Sequence, residues 1–258
     1  MPPLRHVLIT GGSRGLGLST AQLFARNSYR CTLLSRSQPA LQTALSTLES
    51  SHLPASSPHA CVVGDVASPG FWSTDGAFGK QYASGKIDVL VNCAGITETS
   101  AFVRCSEERM REVLETNLWG MMSGTRYLLR KRLIAASPGV EGEEEFKPAI
   151  INIASLLGVK GGRGAVAYAA SKAGVLGFTR ALASEVGRNG IRVNAVVPGY
   201  VSTDMTAGKN DSNVEGRFRI PAGRFGRPEE IAEAVLFLAQ NQYAMNSVVN
   251  IDGGLSAT

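Results

Sequence analysis

Histidine, cysteine and long apolar runs are scarce in this chain, and each scarcity excludes a class of function. The three histidines (His6, His52, His59) are scattered and supply no metal-ligand spacing. Four cysteines (Cys31, Cys61, Cys93, Cys105) are widely spaced with no C-x-x-C pair. Three lie in or near apolar strand-like runs, where free cysteine acts as a small hydrophobe, so a reducing compartment without disulfides is implied. No apolar stretch approaches the ~20 residues of a membrane span. Strand-like Val7-Leu8-Ile9 begins almost at once, leaving no room for a signal peptide. The net charge of +5 is not gathered into a block with aromatics, which argues against nucleic acid as a partner. The longest basic group, Arg130-Lys131-Arg132 with Arg126 a turn earlier, reads as a solvated helix face or as a docking patch for an acidic partner.

Glycine, by contrast, is abundant: 29 in 258 residues, many at strand-to-helix turns. Short apolar runs alternate with amphipathic stretches, the pattern of a parallel sheet with helical crossovers. Strands are predicted at Val7–Thr10, Cys31–Ser35, Cys61–Gly64, Val89–Asn92, Ile150–Ile153, Val193–Val197 and Val248–Ile251. Their nearly continuous hydrophobicity implies cover on both faces. Helices are predicted at Gly15–Asn27, Pro39–Ser50, Ser106–Leu118, Met121–Ala135, Ala167–Arg188 and Pro228–Gln240. Nothing repeats and no linker divides the chain, so residues 1–258 read as a single α/β domain. Two segments are irregular. Ser137–Lys147 is an acidic insertion, read as a solvated loop or a regulatory element. Met205–Gly226, within a lid-like stretch 203–226, follows a strand's carboxyl end and reads as an active-site lid or a plain surface loop.

Thr10-Gly11-Gly12-Ser13-Arg14-Gly15-Leu16-Gly17 follows the first strand and opens the first helix. Glycines there permit a tight turn and close approach of backbone to a pyrophosphate, and helix N–H groups favour the anion. An NAD site wants a carboxylate at the end of the second strand, about twenty residues on. This chain has Ser35-Arg36-Ser37 instead, and Arg14 lies inside the turn. Two guanidinium groups near the ribose suit a 2′-phosphate, so NADP(H) is the expected cofactor unless Arg36 points to solvent.

Tyr168 and Lys172 are four residues apart, hence on one helix face, and Ser155 lies thirteen before the tyrosine. A phenol titrates near ~10, and a neighbouring ammonium is expected to favour its ionised form. Such a pair can exchange protons with a substrate near neutral pH.

Glycine turn, Ser155, Tyr168 and Lys172 in this order make the chain resemble the short-chain dehydrogenase/reductase family from about Leu4 to Gly254. Asp65-Val66, Asn92-Cys93-Ala94-Gly95, Asn117 and Pro198-Gly199 fall at matching places. The resemblance implies a Rossmann-type, doubly wound, seven-stranded parallel sheet with helices on both faces, commonly in a tetramer. It implies four catalytic residues. Tyr168 would protonate a carbonyl oxygen and Ser155 would stabilise that oxygen's developing charge. Lys172 would lower the tyrosine's pKa and hold the nicotinamide ribose, and Asn117 would hold a water for proton resupply. For the cofactor it implies Gly11, Ser13, Arg14, Gly15, Leu16, Gly17 and Arg36 near the phosphates. Asp65 and Val66 would meet the adenine, and Asn92, Ala94 and Gly95 the adenosine side. Pro198, Gly199, Val201 and Thr203 would line the nicotinamide end. Asn117 could instead satisfy backbone in a bent helix, and Asp65 could cap the segment after it.

Several strings resemble the β-ketoacyl-(acyl-carrier-protein) reductases in particular: Ala94-Gly95-Ile96-Thr97, Glu115-Thr116-Asn117-Leu118, Tyr168-Ala169-Ala170-Ser171-Lys172 and Ile220-Pro221-Ala222-Gly223-Arg224. That likeness implies NADPH-dependent reduction of a 3-oxoacyl thioester, on acyl carrier protein or coenzyme A, in the mitochondrial matrix or cytoplasm. The assembly would be a homotetramer or a hetero-oligomer with a related subunit. A broad carbonyl, polyol or hydroxysteroid oxidoreductase and a non-catalytic NADP sensor are the alternatives. Two departures stand out: the carrier-binding basic positions map poorly, with Asn189 at one of them, and Met245-Asn246 replaces a Thr-Gly pair. Asn tolerates left-handed backbone, so that turn is expected to survive.

Overall fold

Seven short strands form one parallel sheet in the computed structural model, which describes residues 4–82, 85–136, 146–206 and 220–258. They are β1 (His6–Thr10), β2 (Arg30–Ser35), β3 (Ala60–Val63), β4 (Val89–Asn92), β5 (Ala149–Ile153), β6 (Arg192–Pro198) and β7 (Val248–Ile251). Their spatial order is β3-β2-β1-β4-β5-β6-β7, and every neighbouring pair is parallel. The winding direction reverses between β1 and β4. Loops leaving the carboxyl ends of those two strands diverge there and leave a crevice, the usual ligand site of open α/β sheets.

The helices described are α1 (Gly15–Arg26), α2 (Gln38–Ser46), α3 (Ala77–Gln81), α4 (Glu107–Leu114), α5 (Gly120–Arg130), α6 (Leu157–Lys160), α7 (Val166–Val186) and α8 (Pro228–Gln240). Successive strand residues point to opposite faces, which divides the core in two. Val7, Ile9, Val89, Val91 and Ile151 pack with Phe24 of α1, Leu41 of α2 and Val235 and Leu238 of α8. Leu8, Leu90, Ile150 and Val193 pack on the other face with Phe78 of α3, Leu128 of α5 and Ala183 and Val186 of α7. Each such side chain contributes about 1.5–3 kcal/mol on burial, so the central strands are the rigid floor of the crevice.

Strand positions agree with the sequence reading to within a residue or two; helix ends agree less well. The helix predicted over Ser106–Leu118 is interrupted: α4 stops at Leu114 and a π-turn spans Glu115–Trp119 before α5 begins. The helix predicted to reach Ala135 ends at Arg130, and the one predicted to reach Ser50 ends at Ser46. The short helices α3 and α6 were not expected, because glycine and polar residues obscure their periodicity. Asn246 does adopt left-handed backbone, with φ of 54°. Most of the acidic insertion 137–147 and of the lid-like stretch 203–226 lies outside the described residues. No helix among the described residues is long and apolar enough to cross a membrane.

Candidate active site

The turn from β1 into α1 is built from backbone alone. Gly11 and Gly15 have φ of +69° and +54°, a region that strains any other L-residue. A Cβ on Gly11 would lie 2.9 Å from the backbone of Ala94, and one on Gly17 would lie 2.2 Å from the carbonyl oxygen of Gly11. The N–H groups of Gly11 and Gly12 both donate to Leu34 O, at 2.8 and 3.2 Å, which ties the turn to β2. Arg14 occupies the N-cap of α1 without a side-chain cap, leaving the first N–H groups of that helix for an anion.

At the end of β2, Arg36 Nη1 stands 3.8 Å from Asp65 Oδ2, and Arg14 Nη1 stands 3.6 Å from Asp204 Oδ2. Asp65 also accepts from Ala67 N at 2.9 Å, the capping role foreseen as its alternative. Ser35 Oγ is buried with no hydrogen-bond partner among the described residues. A glycine cradle, an open helix end, two arginines and an orphaned hydroxyl at the ribose end fit a phosphorylated dinucleotide. The Asn92 side chain donates to Thr125 Oγ1 at 3.2 Å and Asn152 Oδ1 at 2.8 Å, so its amide hydrogens are engaged within the protein.

Farther along the crevice lies a cavity of about 750 Å³. Leu16 lines one end and Ser155, Tyr168 and Lys172 stand in its wall with Gly95, Pro198, Gly199, Val201 and Thr203. The cavity thus brings together nine of the twenty residues picked from the sequence. Arg36, Asp65 and Val66 lie beyond this cavity, and Asn117 sits behind it. Apolar walls come from Leu156, Leu157, Tyr200, Met205, Phe225 and Leu255.

Three backbone devices hold the polar trio. Ser155 follows β5, whose ladder continues as Ala154 N→Val196 O and Leu156 N→Pro198 O, both 2.9 Å. Helix α7 buries Ala167, Ser171, Val175, Thr179 and Ala183 at four-residue spacing, which points Tyr168 and Lys172 toward the crevice. Lys172 Nζ donates to Ile153 O at 2.7 Å. Asn117, in the π-turn, accepts from Ile96 N at 2.8 Å and donates to Ile96 O at 2.9 Å and Ser171 Oγ at 3.0 Å. Its amide hydrogens are both used, so its side chain could meet a water only through Oδ1.

Electrostatics correct one expectation. Lys172 was expected to draw the Tyr168 pKa down, yet burial pushes the phenol above its ordinary value. A hydrogen bond with Ser155 opposes that, while Cys93 and Glu98 add to it. The ammonium stands 5.8 Å from the ring centroid and spends its short hydrogen bond on Ile153. Burial lowers the Lys172 pKa itself to about 8. Low dielectric thus favours a neutral phenol beside a loosely held ammonium proton. Such a pair can release one proton into the cavity and be resupplied from one turn along α7.

A short chain dehydrogenase family model matches residues 5–214. The chain belongs to the short-chain dehydrogenase family. Similar proteins within this oxidoreductase family include a 3-oxoacyl-[acyl-carrier-protein] reductase of Chlamydia muridarum, 38% identical, with 98% of this chain and 97% of the relative covered. Carbonyl reductase family member 4 of Danio rerio is 40% identical, with 97% of this chain and 98% of the relative covered. Among solved structures, a protein described as a 2-deoxy-D-gluconate 3-dehydrogenase of Agrobacterium tumefaciens, with bound NADP, superposes with a TM-score of 0.80. It is 32% identical, and the match covers 98% of this chain and 97% of that one.

One residue of the short-chain dehydrogenase site was missed by sequence reasoning. Glu98 is 5% exposed, and both its carboxylate oxygens accept from Tyr168 N, at 3.0 and 3.1 Å. Its position two residues beyond Ile96, in a loop after β4, gave no periodic signal.

Proposed function

We propose that this chain uses NADPH to reduce the keto group of a 3-oxoacyl thioester, giving the 3-hydroxyacyl thioester. The observation that carries this reading is the meeting of Ser155, Tyr168 and Lys172 in the wall of one apolar cavity that reaches the glycine turn. Bound NADPH would supply a hydride to the substrate carbonyl carbon. Tyr168 gives its hydroxyl proton to the carbonyl oxygen, and Ser155 donates a hydrogen bond to that oxygen as charge develops on it. Lys172 returns a proton to Tyr168. Arg14 and Arg36 hold the 2′-phosphate, turning from their exposed carboxylate partners to do so.

Leu156, Leu157, Met205, Phe225 and Leu255 favour a substrate with an alkyl portion over a bare sugar. Full-length similarity to acyl-carrier-protein reductases supports the same substrate class. Similarity to a carbonyl reductase keeps a second reading, a broader ketone reductase, in view. Exposed apolar side chains, among them Phe102, Val103, Trp119, Phe237, Tyr243 and Val248, support assembly into an oligomer, which we take to be a homotetramer.

Turnover of acetoacetyl thioesters on coenzyme A and on carrier protein tests the reading, with NADPH and NADH side by side and a quinone and a sugar ketone as competitors. Faster turnover of the thioester with NADPH is expected. Turnover confined to the quinone or the sugar would replace the first reading with the second.

A further inference from the structure

Glu98 is a buried acid that the proton-transfer scheme leaves without a task. It lies in the loop after β4, one residue past Thr97 of the cavity wall. Helix α7 begins at Val166 with Ala165 as its N-cap, and Ala165 offers no side-chain acceptor. The Glu98 carboxylate takes over the capping role from another part of the chain, accepting the Tyr168 N–H through both oxygens. An N-terminal acceptor also meets the positive end of the helix dipole.

Two further contacts fix the loop that carries it. Ser100 N donates to Gly164 O at 3.1 Å, joining the loop to the turn before α7. Arg109 Nη2 donates to Thr97 O at 2.5 Å and Nη1 to Glu112 Oε2 at 2.5 Å, so the nearby guanidinium is engaged by those two partners. Among the described residues no lysine or arginine forms an ion pair with Glu98.

We propose that Glu98 is a positioning residue for Tyr168: its buried carboxylate clamps the first turn of α7 and opposes ionisation of the phenol, which then serves as a proton donor. This rests on the reading of Tyr168 as proton donor given above. The groups that face the phenol from the surrounding elements are Glu98 and Cys93 after β4, Ser155 after β5 and Lys172 on α7 itself. Lys160 on α6 and Tyr200 after β6 also line the cavity. Glu98 and Cys93 both raise the Tyr168 pKa, whereas the Ser155 hydrogen bond lowers it. Cys93, itself pushed up to about 11, stays neutral over most of the working range, which leaves Glu98 as the acid opposing ionisation of the phenol there.

Three variants separate clamp from charge. Glu98→Gln keeps one oxygen acceptor for Tyr168 N and removes the charge, Glu98→Asp keeps the charge, and Glu98→Ala removes both. Tyrosinate absorbance is titrated in each, with the matching Tyr168→Phe variant subtracted, and kcat/KM with NADPH and acetoacetyl-coenzyme A is followed against pH. Circular dichroism confirms that each variant is folded. The Tyr168 midpoint should move to lower pH in Glu98→Gln and not in Glu98→Asp. Glu98→Ala should lose about tenfold or more in kcat with little change in KM, as expected for a displaced reacting group. Superimposable titrations of Glu98→Gln and the parent would overturn the proposal, as would full kcat in Glu98→Ala. Should Tyr168→Phe turn over substrate as well as the parent, the proton-donor reading would fail instead, while the titration still reports what Glu98 does to the phenol.

Discussion

Acidification from neutral pH should destabilise this fold through a single buried histidine, His6, at the opposite end of β1 from the crevice. Its ring is 4% exposed. Nδ1 lies 3.0 Å from Lys86 O, which can only accept, so Nδ1 carries the hydrogen. Nε2 then accepts from Thr32 Oγ1 at 2.8 Å. Protonating Nε2 would place a positive charge in a buried site and force Thr32 Oγ1 to turn from donor to acceptor. Burial, with the positive charge of Arg30 nearby, lowers the His6 pKa from 6.5 to about 4. Between those values the unfolded chain binds a proton that the folded chain refuses. Stability therefore falls as pH drops through this window, by about 1.4 kcal/mol for each pH unit and about 3 kcal/mol across it.

Urea midpoints measured from neutral pH down to about 4 test this, with His6→Asn as the comparison. The variant keeps an amide donor for Lys86 O and loses the titrating ring. Asp88 works in the opposite sense, because burial raises its pKa and a raised carboxyl favours the folded state as pH falls. Its bond from His6 N, at 2.7 Å, is a backbone bond that the variant retains, so the difference between the two proteins isolates the ring. His6→Asn should be less stable at neutral pH and should show a flatter decline toward acid. Parallel declines would refute the argument.

Tyr168→Phe should reduce kcat by about 10²–10⁴-fold while NADPH binding, followed by nicotinamide fluorescence, persists. Reductive turnover should decline above about pH 8, where Lys172 loses its proton, and a rate still climbing there would contradict the proton path. Replacing Arg14 and Arg36 together by serine should weaken NADPH binding by roughly 10–100-fold and leave NADH binding nearly unchanged, as read by calorimetry. Gly17→Ala should abolish cofactor binding or folding, since its Cβ would sit 2.2 Å from Gly11 O; a variant with normal affinity would show that this turn is not the phosphate cradle.

Much of the fold was legible because a two-sided parallel sheet writes its strands as unbroken apolar runs. Val89–Asn92 and Val248–Ile251 could be read to the residue. Helix ends were harder, since they depend on capping and tertiary contacts. The π-turn at Glu115–Trp119 is the clearest case. Its sequence has ordinary helical periodicity, and the irregularity becomes necessary only when Asn117 reaches Ile96 across the crevice.

At the site, the meeting of Ser155, Tyr168 and Lys172 was legible and electrostatics were not. Tyr168, Lys172 and Ser155 could be found by spacing, but the direction of the tyrosine's pKa depends on burial, which spacing does not encode. A Tyr-x-x-x-Lys pair in water would lower the phenol's pKa by simple attraction. Inside this cavity the cost of ionising the ring outweighs an ammonium that is bonded to Ile153 O and is itself partly desolvated. Glu98 tilts the balance further in the same direction, and it belongs to a different strand's loop, 70 residues earlier in the chain. What the two-residue motif encodes is thus the place where a proton is exchanged. Which way the exchange is biased is decided by groups that only the folded sheet brings alongside it.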